Sequence, residues 1–310
     1  MKRNTEPYVK TKRKQNTKRN IFIALMLIYP LLHFVVFTVY INFDTIALCF
    51  QRFNIMAGKN EFVGLYWFKK FFSEMAQSYS LQRSFINSLL FIPVTNLILL
   101  PLSVLAAYFL YKKVPFSRMY RVTFFLPSIV SITIMTMCFS FMFDSTFGVV
   151  NDLLSRLGFI NPPVWLGDPN TAMPMVFFYC VWVGIGFNVV LLGGAMGRIP
   201  DDLIEYGNLE GIGLTTELFR VVIPMVWPTI GTLLVTGTTS AFTIFMQPKL
   251  LTGGGPNFSS STIGLYVVSA TETNQYNWAA TVGVIFSIVG ILLVMTIKHF
   301  VDKLGNDVEY

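Results

Sequence analysis

Six long stretches without a charged residue constrain this sequence more than any other feature. They cover residues 20–43, 84–111, 122–143, 169–197, 221–248 and 273–297, and none of them contains Asp, Glu, Lys or Arg. Crossing about 30 Å of hydrocarbon takes roughly 20 helical residues, and a charge at mid-span costs about 2.5–3.5 kcal/mol. Because only 13% of all residues are charged and 54% are hydrophobic, the composition argues against a water-soluble enzyme. The sequence predicts an all-α polytopic membrane protein with six transmembrane helices.

A seventh charge-free stretch, residues 250–271, differs from the other six. It contains three consecutive glycines followed by Pro256, and three consecutive serines from Ser259 to Ser261. Glycine, proline and serine mark turns and loops, and the remaining apolar part is shorter than the membrane is thick. We therefore predict that this stretch does not cross the membrane.

The distribution of basic residues predicts the orientation. Eight Lys and Arg residues lie in positions 1–19, and the apolar run Ile21–Ile41 that follows is longer than a signal-peptide core, which indicates an uncleaved anchor. Across the six predicted spans, the loops on the N-terminal side carry 16 Lys and Arg, and the loops on the opposite side carry 7. Because positive charge is retained on the inner side, both termini are predicted to be cytoplasmic.

The predicted spans divide the chain into four regions. These are a basic cytoplasmic tail (1–19), a first transmembrane helix with a long extracellular loop (20–84), a transmembrane core (85–301) and a cytoplasmic C-terminus (302–310).

The sequence contains no feature that would supply energy or catalysis. It lacks a G-x-x-x-x-G-K-[ST] loop for nucleotide phosphates. The six stretches hold no ionisable side chain apart from His33, whereas gradient-driven transporters place such groups in their spans. The sequence contains no convincing Ser/His/Asp or Cys/His catalytic set and no residue spacing typical of a metal site. The chain is therefore predicted to be a non-enzymatic subunit whose energy source lies in a partner.

The loop between the fourth and fifth spans, residues 198–224, is predicted to form a helix–turn–helix. Pro200 suits the start of a helix, and the two aspartates behind it complement the positive end of the helix dipole. Gly211 and Gly213 break that helix, and Thr215 is predicted to cap a second one.

The first helix of this loop carries apolar side chains among acids, namely Leu203, Ile204 and Tyr206. An exposed apolar cluster with an acidic rim suits a docking surface for another protein. Amphipathic packing on the membrane surface explains the pattern equally well.

The spacing within this loop resembles the EAA loop of ABC importer permeases. Glu205, Gly211 and Pro224 stand at the positions of the family glutamate, glycine and proline, and Val221 and Ile223 fill the apolar positions before the proline. Three positions depart from the pattern: Tyr206 and Gly207, where the family usually has two alanines, and Ile212, in a position that is often alanine.

Further motifs resemble the sugar-type permeases of binding-protein-dependent ABC importers, the maltose, glycerol-phosphate and multiple-sugar group. The similarity runs from about residue 85 to about residue 300. Its motifs are Phe147-Gly148-Val-Val-Asn151-Asp-Leu-Leu154, Trp165-Leu166-Gly-Asp168-Pro169, Trp182, Ile199-Pro200 and Leu251-Thr252-Gly253-Gly254-Gly255-Pro256.

This resemblance implies a type I ABC importer permease fold, a multi-pass location in a bacterial plasma membrane and a set of partners. They are a second homologous permease subunit, two cytoplasmic ABC ATPase subunits, an extracellular solute-binding (lipo)protein, membrane lipid and a small-molecule sugar; nucleic acid is not among them. ATP and Mg would bind to the ATPases, so no cofactor is expected in this chain. The resemblance assigns ATPase coupling to Glu205, Tyr206, Gly207, Glu210, Gly211 and Pro224.

A substrate path can be sketched from polar residues inside the spans. Thr236, Ser240, Thr243 and Gln247 follow at intervals of four, three and four, which places them on one face of a continuous helix, and Asn188 lies mid-span in the fourth helix. A neutral sugar needs such hydroxyl and amide partners. Alternatively, these groups bond to their own backbone or hold helices together.

Two other functions compete with a sugar importer subunit. One is an ABC permease for a non-sugar solute, against which the Trp165–Pro169 and Thr252–Pro256 motifs argue. The other is a stand-alone facilitator or membrane enzyme, against which the docking loop and the lack of a catalytic set argue.

Overall fold

The structure is a computed structural model that describes residues 6–54, 58–159 and 162–305, with side chains from residue 18 onward except that of Asn208. Residues 1–5 of the predicted basic tail and 306–310 of the predicted C-terminus lie outside the described residues. The chain divides into two compact units, residues 1–68 and 69–310.

The first unit combines a long apolar helix with a β-hairpin. Its elements are α1 (Glu6–Phe34), a π-helical turn (Val35–Tyr40), α2 (Ile41–Leu48), β1 (Gln51–Asn54) and β2 (Lys59–Phe62). The two strands pair antiparallel, with Gln51 opposite Phe62. The Trp67 Nε1 atom donates a 2.7 Å hydrogen bond to the Gln51 carbonyl, which anchors the chain after the hairpin to its first strand.

The second unit is helical throughout its described regular structure. Its elements are α3 (Tyr66–Gln77, which starts in the first unit), α4 (Tyr79–Pro93), a π-helical turn (Val94–Leu99), α5 (Leu100–Tyr111), α6 (Ser117–Ile129), α7 (Ile132–Met142), α8 (Val149–Arg156), α9 (Ala172–Met196), α10 (Asp201–Leu209), α11 (Leu214–Glu217), a π-helical turn (Leu218–Val222), α12 (Ile223–Thr243), α13 (Met246–Thr252), a 3₁₀ turn (Pro256–Phe258), α14 (Ile263–Glu272) and α15 (Tyr276–Gly305).

Within the described ranges, five helices are long and apolar enough to cross a membrane, and a bent helix pair brings the number to six if it is counted as one span. The five are Lys18–Leu48, Tyr79–Tyr111, Ala172–Met196, Leu214–Thr243 and Tyr276–Gly305. The first, second and fifth spans each join two helices across a π-helical turn and continue as one helix. The predicted helical membrane architecture is confirmed, and the short β1–β2 hairpin is an addition that the sequence analysis did not predict.

The third span corrects the expectation of one helix over residues 122–143. It is built from α6 and α7, which meet at an angle of 105°. Val130 and Ser131 between them are extended, with ψ angles of 145° and 136°. Valine and serine are weak helix formers. Close packing also fixes α6, since a Cβ on Gly186 of α9 would lie 2.2 Å from the Phe124 carbonyl oxygen.

The fifth span is also displaced from its predicted window, 221–248. The helix starts at Leu214 and ends at Thr243. The chain leaves the helix at Ile244, whose ψ is 121°, and the carbonyl of Ile244 accepts a 2.6 Å hydrogen bond from the Thr262 hydroxyl. Because the Thr262 hydroxyl already satisfies the Ile244 carbonyl, that carbonyl does not need the hydrogen bond that a further helical turn would supply.

The stretch 250–271 does not form a span within the described residues, as predicted. It contains the end of α13, a glycine turn, the 3₁₀ turn and most of α14. A ten-residue helix such as α14 is about 15 Å long, half of what a crossing takes. The three consecutive serines, Ser259 to Ser261, are buried beside α4: Asn87 Nδ2 donates to the carbonyls of Ser259 and Ser261 at 2.9 and 2.8 Å.

A cluster of buried apolar side chains joins three spans around the loop 198–224. It contains residues of α5, of α9 and the loop that follows it, of the π-helical turn at Leu218 and of α12: Leu100, Val104, Ala107, Tyr108, Leu110, Val189, Leu192, Met196, Ile199, Leu218, Val222, Val226, Ile230 and Leu233. This cluster, called the base cluster below, gives the loop a rigid platform.

Candidate coupling segment and substrate path

Residues 198–224, called the coupling segment below, form the predicted helix–turn–helix. The first helix, α10, follows Pro200, whose carbonyl accepts a 3.1 Å hydrogen bond from the Leu203 backbone N–H. Asp201 and Asp202 occupy its first turn, where their charge complements the helix dipole. The second helix starts at Leu214 and continues through the π-helical turn into the fifth span.

The predicted cap at Thr215 is wrong. The residue that precedes α11 is Gly213, with φ −73° and ψ 158°, and its carbonyl accepts the first helical hydrogen bond from the Glu217 N–H at 3.0 Å. The extended conformation of Gly213 starts the helix two residues earlier than expected, which leaves Thr215 inside the helix and exposed.

The turn between the two helices depends on Gly211, whose φ is +70°. This left-handed conformation is open to glycine and costly for other residues. The Ile212 N–H donates a 3.1 Å hydrogen bond to the Gly207 carbonyl, and the Glu210 N–H donates to the Tyr206 carbonyl at 3.0 Å. The two bonds close the end of α10 over the turn.

Two of the departures from the EAA pattern fit each other. A Cβ on Gly207 would lie 2.6 Å from Cδ1 of Ile212, well inside ordinary contact distance. The glycine at position 207 therefore makes room for the larger side chain at position 212. An alanine at 207 would fit only if the residue at 212 were smaller or moved.

The outward face of α10 carries an apolar and acidic surface. Leu203, Tyr206 and Leu209 are 47%, 68% and 86% exposed, and Glu205 and Glu210 are exposed beside them. Ile204, in contrast, packs against the base cluster. The helix thus attaches by one side chain and presents the remaining predicted docking residues to the outside.

Two polar contacts attach the second helix of the segment to the end of α5. The Tyr108 hydroxyl donates a 3.1 Å hydrogen bond to the Leu214 carbonyl. Lys112 Nζ lies 2.9 Å from both carboxylate oxygens of Glu217, whose side chain is 3% exposed. Sequence reasoning missed this ion pair, because Lys112 and Glu217 are 105 positions apart.

Pro224 lies where the π-helical turn Leu218–Val222 passes into α12. Proline has no N–H to donate and its ring crowds the preceding turn, and a π-helical turn is a common way to accommodate such a change within a helix. The helix therefore carries on from Leu214 to Thr243 despite the proline.

The hydroxyls of the predicted stripe on the fifth span bond to their own helix. Thr236 donates to the Thr232 carbonyl at 2.8 Å, Ser240 to the Gly237 carbonyl at 2.7 Å, and Thr243 to the Ser240 carbonyl at 3.4 Å. Thr236 and Thr243 are exposed and Ser240 is half-buried. Each hydroxyl keeps acceptor capacity after donating its proton.

Gln247 does not continue this stripe. The helix ends at Thr243, and Gln247 lies on the separate helix α13. The expected single face over residues 236–247 is therefore wrong, because the extended Ile244 redirects the chain. Asn188 lies on α9 as predicted and is half-buried there.

A buried polar contact that the sequence analysis did not single out links the second and fifth spans. Asn96 lies in the π-helical turn Val94–Leu99, is 9% exposed, and donates from Nδ2 to the Thr238 hydroxyl at 3.0 Å. The neighbouring Thr95 hydroxyl donates to the Gly237 carbonyl at 3.3 Å. An amide inside a charge-free stretch was the available signal, because such groups are costly in lipid unless bonded.

A cavity of about 670 Å³ adjoins the stripe. α12, α14 and α15 line it mainly with apolar side chains, and Thr239, Thr243 and Ser287 add hydroxyl groups. Of the predicted path residues, Thr243 reaches this cavity.

The apolar spans define a multi-pass helical membrane protein. The chain belongs to the family described as "binding-protein-dependent transport system inner membrane component", whose model matches residues 99–304. The resemblance drawn from the EAA spacing and the sugar-type motifs is thereby confirmed.

Two curated relatives and one solved structure illustrate the similarity. The chain is 27% identical over 294 residues to the probable ABC transporter permease protein YurN of Bacillus subtilis, covering 93% of this chain and 99% of that protein. It is 26% identical over 249 residues to the sulfoquinovosyl glycerol transport system permease protein SmoG of Agrobacterium fabrum, covering 80% and 75%. A crystal structure of a bacterial ABC transporter involved in the import of the acidic polysaccharide alginate superposes with a TM-score of 0.80 at 22% identity, covering 94% of this chain and 99% of that one. This structural likeness confirms the predicted importer permease fold.

Proposed function

We propose that this chain is the transmembrane permease subunit of an ATP-driven importer for a sugar or oligosaccharide delivered by an extracellular binding protein. The family description supports the dependence on a binding protein. The names of SmoG and of the alginate transporter support a carbohydrate as the solute. The observation that carries the proposal is the surface of α10, which joins exposed apolar and acidic side chains to a helix that continues into a span.

Energy enters from partners in this proposal. Two cytoplasmic ATPase subunits bind ATP and Mg and receive the coupling segment, and a second homologous permease completes the membrane part. Both termini then lie in the cytoplasm, on the same side as the coupling segment. The chain itself performs no chemistry and holds no cofactor.

The coupling segment transmits movement because its parts are stiff. Glu205, Tyr206 and Gly207 on α10 and Glu210 in the turn after it meet the ATPase surface, and Gly211 allows the tight turn back towards the membrane. Closure of the ATPase dimer displaces α10, and the continuous helix Leu214–Thr243, with Pro224 near its start, carries the displacement into the fifth span. Interfaces of this packed kind switch between discrete positions.

The solute path in this proposal follows the polar groups of the fourth and fifth spans. Thr236, Ser240 and Thr243 accept hydrogen bonds from sugar hydroxyls while their own protons stay bonded to the helix. Asn188 and Gln247 add amides, which can both donate and accept. Alanine at Asn188 or at Gln247 is expected to weaken uptake without altering subunit assembly, and unchanged kinetics in both variants would remove them from the path.

A tagged chain extracted from its native host in mild detergent tests the whole proposal. The expected copurifying proteins are an ATPase, a second six-helix permease and a solute-binding lipoprotein, and mass spectrometry of the solute on that lipoprotein identifies the substrate. A non-sugar solute there would favour the alternative of an ABC permease with other specificity. A chain that purifies alone and still transports would favour the facilitator and overturn the proposal.

A further inference from the structure

The ion pair between Lys112 and Glu217 joins two elements that the proposed mechanism treats separately. Lys112 follows the last residue of α5, at the end of the second span, and Glu217 is the last residue of α11, within the coupling segment. Both distances from Lys112 Nζ to the carboxylate oxygens are 2.9 Å. The carboxylate is 3% exposed and the lysine side chain 23% exposed.

Each charge also suits the helix end beside it. Lys112 lies at the C-terminal end of a helix, where a cation complements the dipole, and Glu217 lies in the first turn of one, where an anion does so. Below the pair, Leu218 and Val222 are buried in the base cluster together with Ala107 and Leu110 of α5. The apolar surroundings shield the pair from water, which strengthens the attraction between its charges.

A contribution to folding stability is by itself a weak explanation for a buried ion pair. Replacing a buried ion pair by apolar residues is often neutral or stabilising, because two charges must be stripped of water. Buried polar pairs are better explained where they fix one arrangement of elements against others. Here the arrangement is reinforced by the hydrogen bond from the Tyr108 hydroxyl to the Leu214 carbonyl, one turn before Glu217.

We infer that Lys112 and Glu217 are positioning residues that lock the coupling segment to the end of the second span, so that both move as one body when the ATPases close. The inference rests on the proposed function and deepens it. Movement of α10 then reaches two spans at once, the fifth through the continuous helix and the second through the ion pair. The second span carries the Asn96 contact to Thr238, so the two spans stay in register at mid-membrane as well.

Spin-label distances in the copurified complex test the inference with ATP and vanadate as the only added ligands. One label replaces Phe109 on α5 and the other replaces Thr215 on α11, both of which are exposed and lie outside the docking face of α10, in a background with Cys49, Cys138 and Cys180 changed to serine. The parent complex is expected to give one narrow distance distribution that ATP–vanadate leaves unchanged. Glu217→Gln is expected to broaden that distribution and to make it depend on the nucleotide.

A second variant separates the ion pair from mere packing. Lys112→Met with Glu217→Leu keeps the site filled and apolar, which protects assembly if Glu217→Gln fails to assemble. It is also expected to lose the fixed distance. The control Glu272→Gln removes a carboxylate from the exposed ion pair between Lys249 and Glu272 and is expected to behave as the parent does.

Three results would overturn the inference. They are a parent distance that changes with ATP–vanadate, a Met/Leu variant that keeps the narrow distribution, and a control that broadens as Glu217→Gln does. A merely structural role would lower the yield of complex without changing the distance in the complexes that form. Failure to recover any ATPase with the chain would overturn the proposed function, and this inference with it.

Discussion

At the scale of single residues, the coupling segment is fitted by conformation and by volume. Gly211 has a φ of +70°, whereas Gly213, two positions on, has a φ of −73° with open space around its Cα. Gly207 has no room for a Cβ because of Ile212. The backbone conformation therefore constrains Gly211, the neighbouring side chain constrains Gly207, and neither constrains Gly213. Substitutions at the three positions should have different effects.

Valine at Gly211 and valine at Gly213 are expected to differ sharply. A β-branched residue in a sparsely populated backbone region costs about 1–3 kcal/mol, which is roughly a five- to hundredfold loss of the correctly turned segment. The extended backbone at position 213 accepts valine without strain. We expect Gly211→Val to depress the ATP hydrolysis that the binding protein stimulates in the purified complex, and Gly213→Val to keep it. Equal activity in the two variants would contradict the role of the turn.

Alanine at Gly207 and at Ile212 is expected to be non-additive. Gly207→Ala brings a methyl group against Ile212, and Ile212→Ala leaves a gap beside Gly207. The double variant restores the two small residues usual at these positions in the EAA pattern, so it should recover activity lost in each single variant. Contacting residues typically show coupling of about 0.5–3 kcal/mol. The stimulated ATP hydrolysis of all four complexes measures it, and additive losses would show that the two side chains do not interact.

At the scale of elements, the length of the charge-free stretches predicts where the spans lie better than it predicts where the helices within a span break. The windows located the helices because every one must exclude charge, but they could not show the 105° bend between α6 and α7 or the end of the fifth span at Thr243. Those breaks depend on contacts from distant segments, such as α9 against Phe124 and Thr262 on Ile244. The prediction that Gln247 shares one helical face with the hydroxyl stripe of the fifth span is wrong for the same reason. The exposed apolar and acidic face of α10 was predictable, because the spacing of its residues is local.

The contact between the second and fifth spans gives an element-scale prediction. Asn96→Ala removes the hydrogen bond to Thr238, and such bonds between membrane helices contribute about 0.6 kcal/mol on average and up to about 1.7. The thermal unfolding midpoint of the purified complex should fall. Thr296→Val serves as the control, since that hydroxyl bonds only to Leu292 of its own helix among the described contacts. A midpoint that falls equally in both variants would argue against a link between spans.

At the scale of the whole molecule, the orientation of the chain decides which partner meets which surface. The excess of Lys and Arg on the N-terminal side predicts that the coupling segment faces the cytoplasm, and the turn between α14 and α15 then faces outward. The stretch 250–271 does not reverse this order, because it forms no crossing in the described part of the chain.

Single cysteines test this orientation directly. In the background without native cysteines, Leu209→Cys should react with a membrane-impermeant maleimide in inverted vesicles stripped of their peripheral ATPases and stay unreactive in intact spheroplasts. Asn274→Cys, in the turn after α14, should show the opposite pattern; both positions are exposed. Labelling of position 209 in intact spheroplasts would reverse the predicted topology and remove the ATPases from reach of α10.

The fit between Gly207 and Ile212 also constrains how this sequence could have arisen. If a lineage starts from small residues at both positions and gains the isoleucine before the glycine, the two side chains clash. The Cβ at position 207 would then lie 2.6 Å from Cδ1 of Ile212. Glycine first leaves only a void, and the isoleucine that follows can fill it. The order of the two changes is thus favoured in one direction, and descendants of this chain should inherit the pair together.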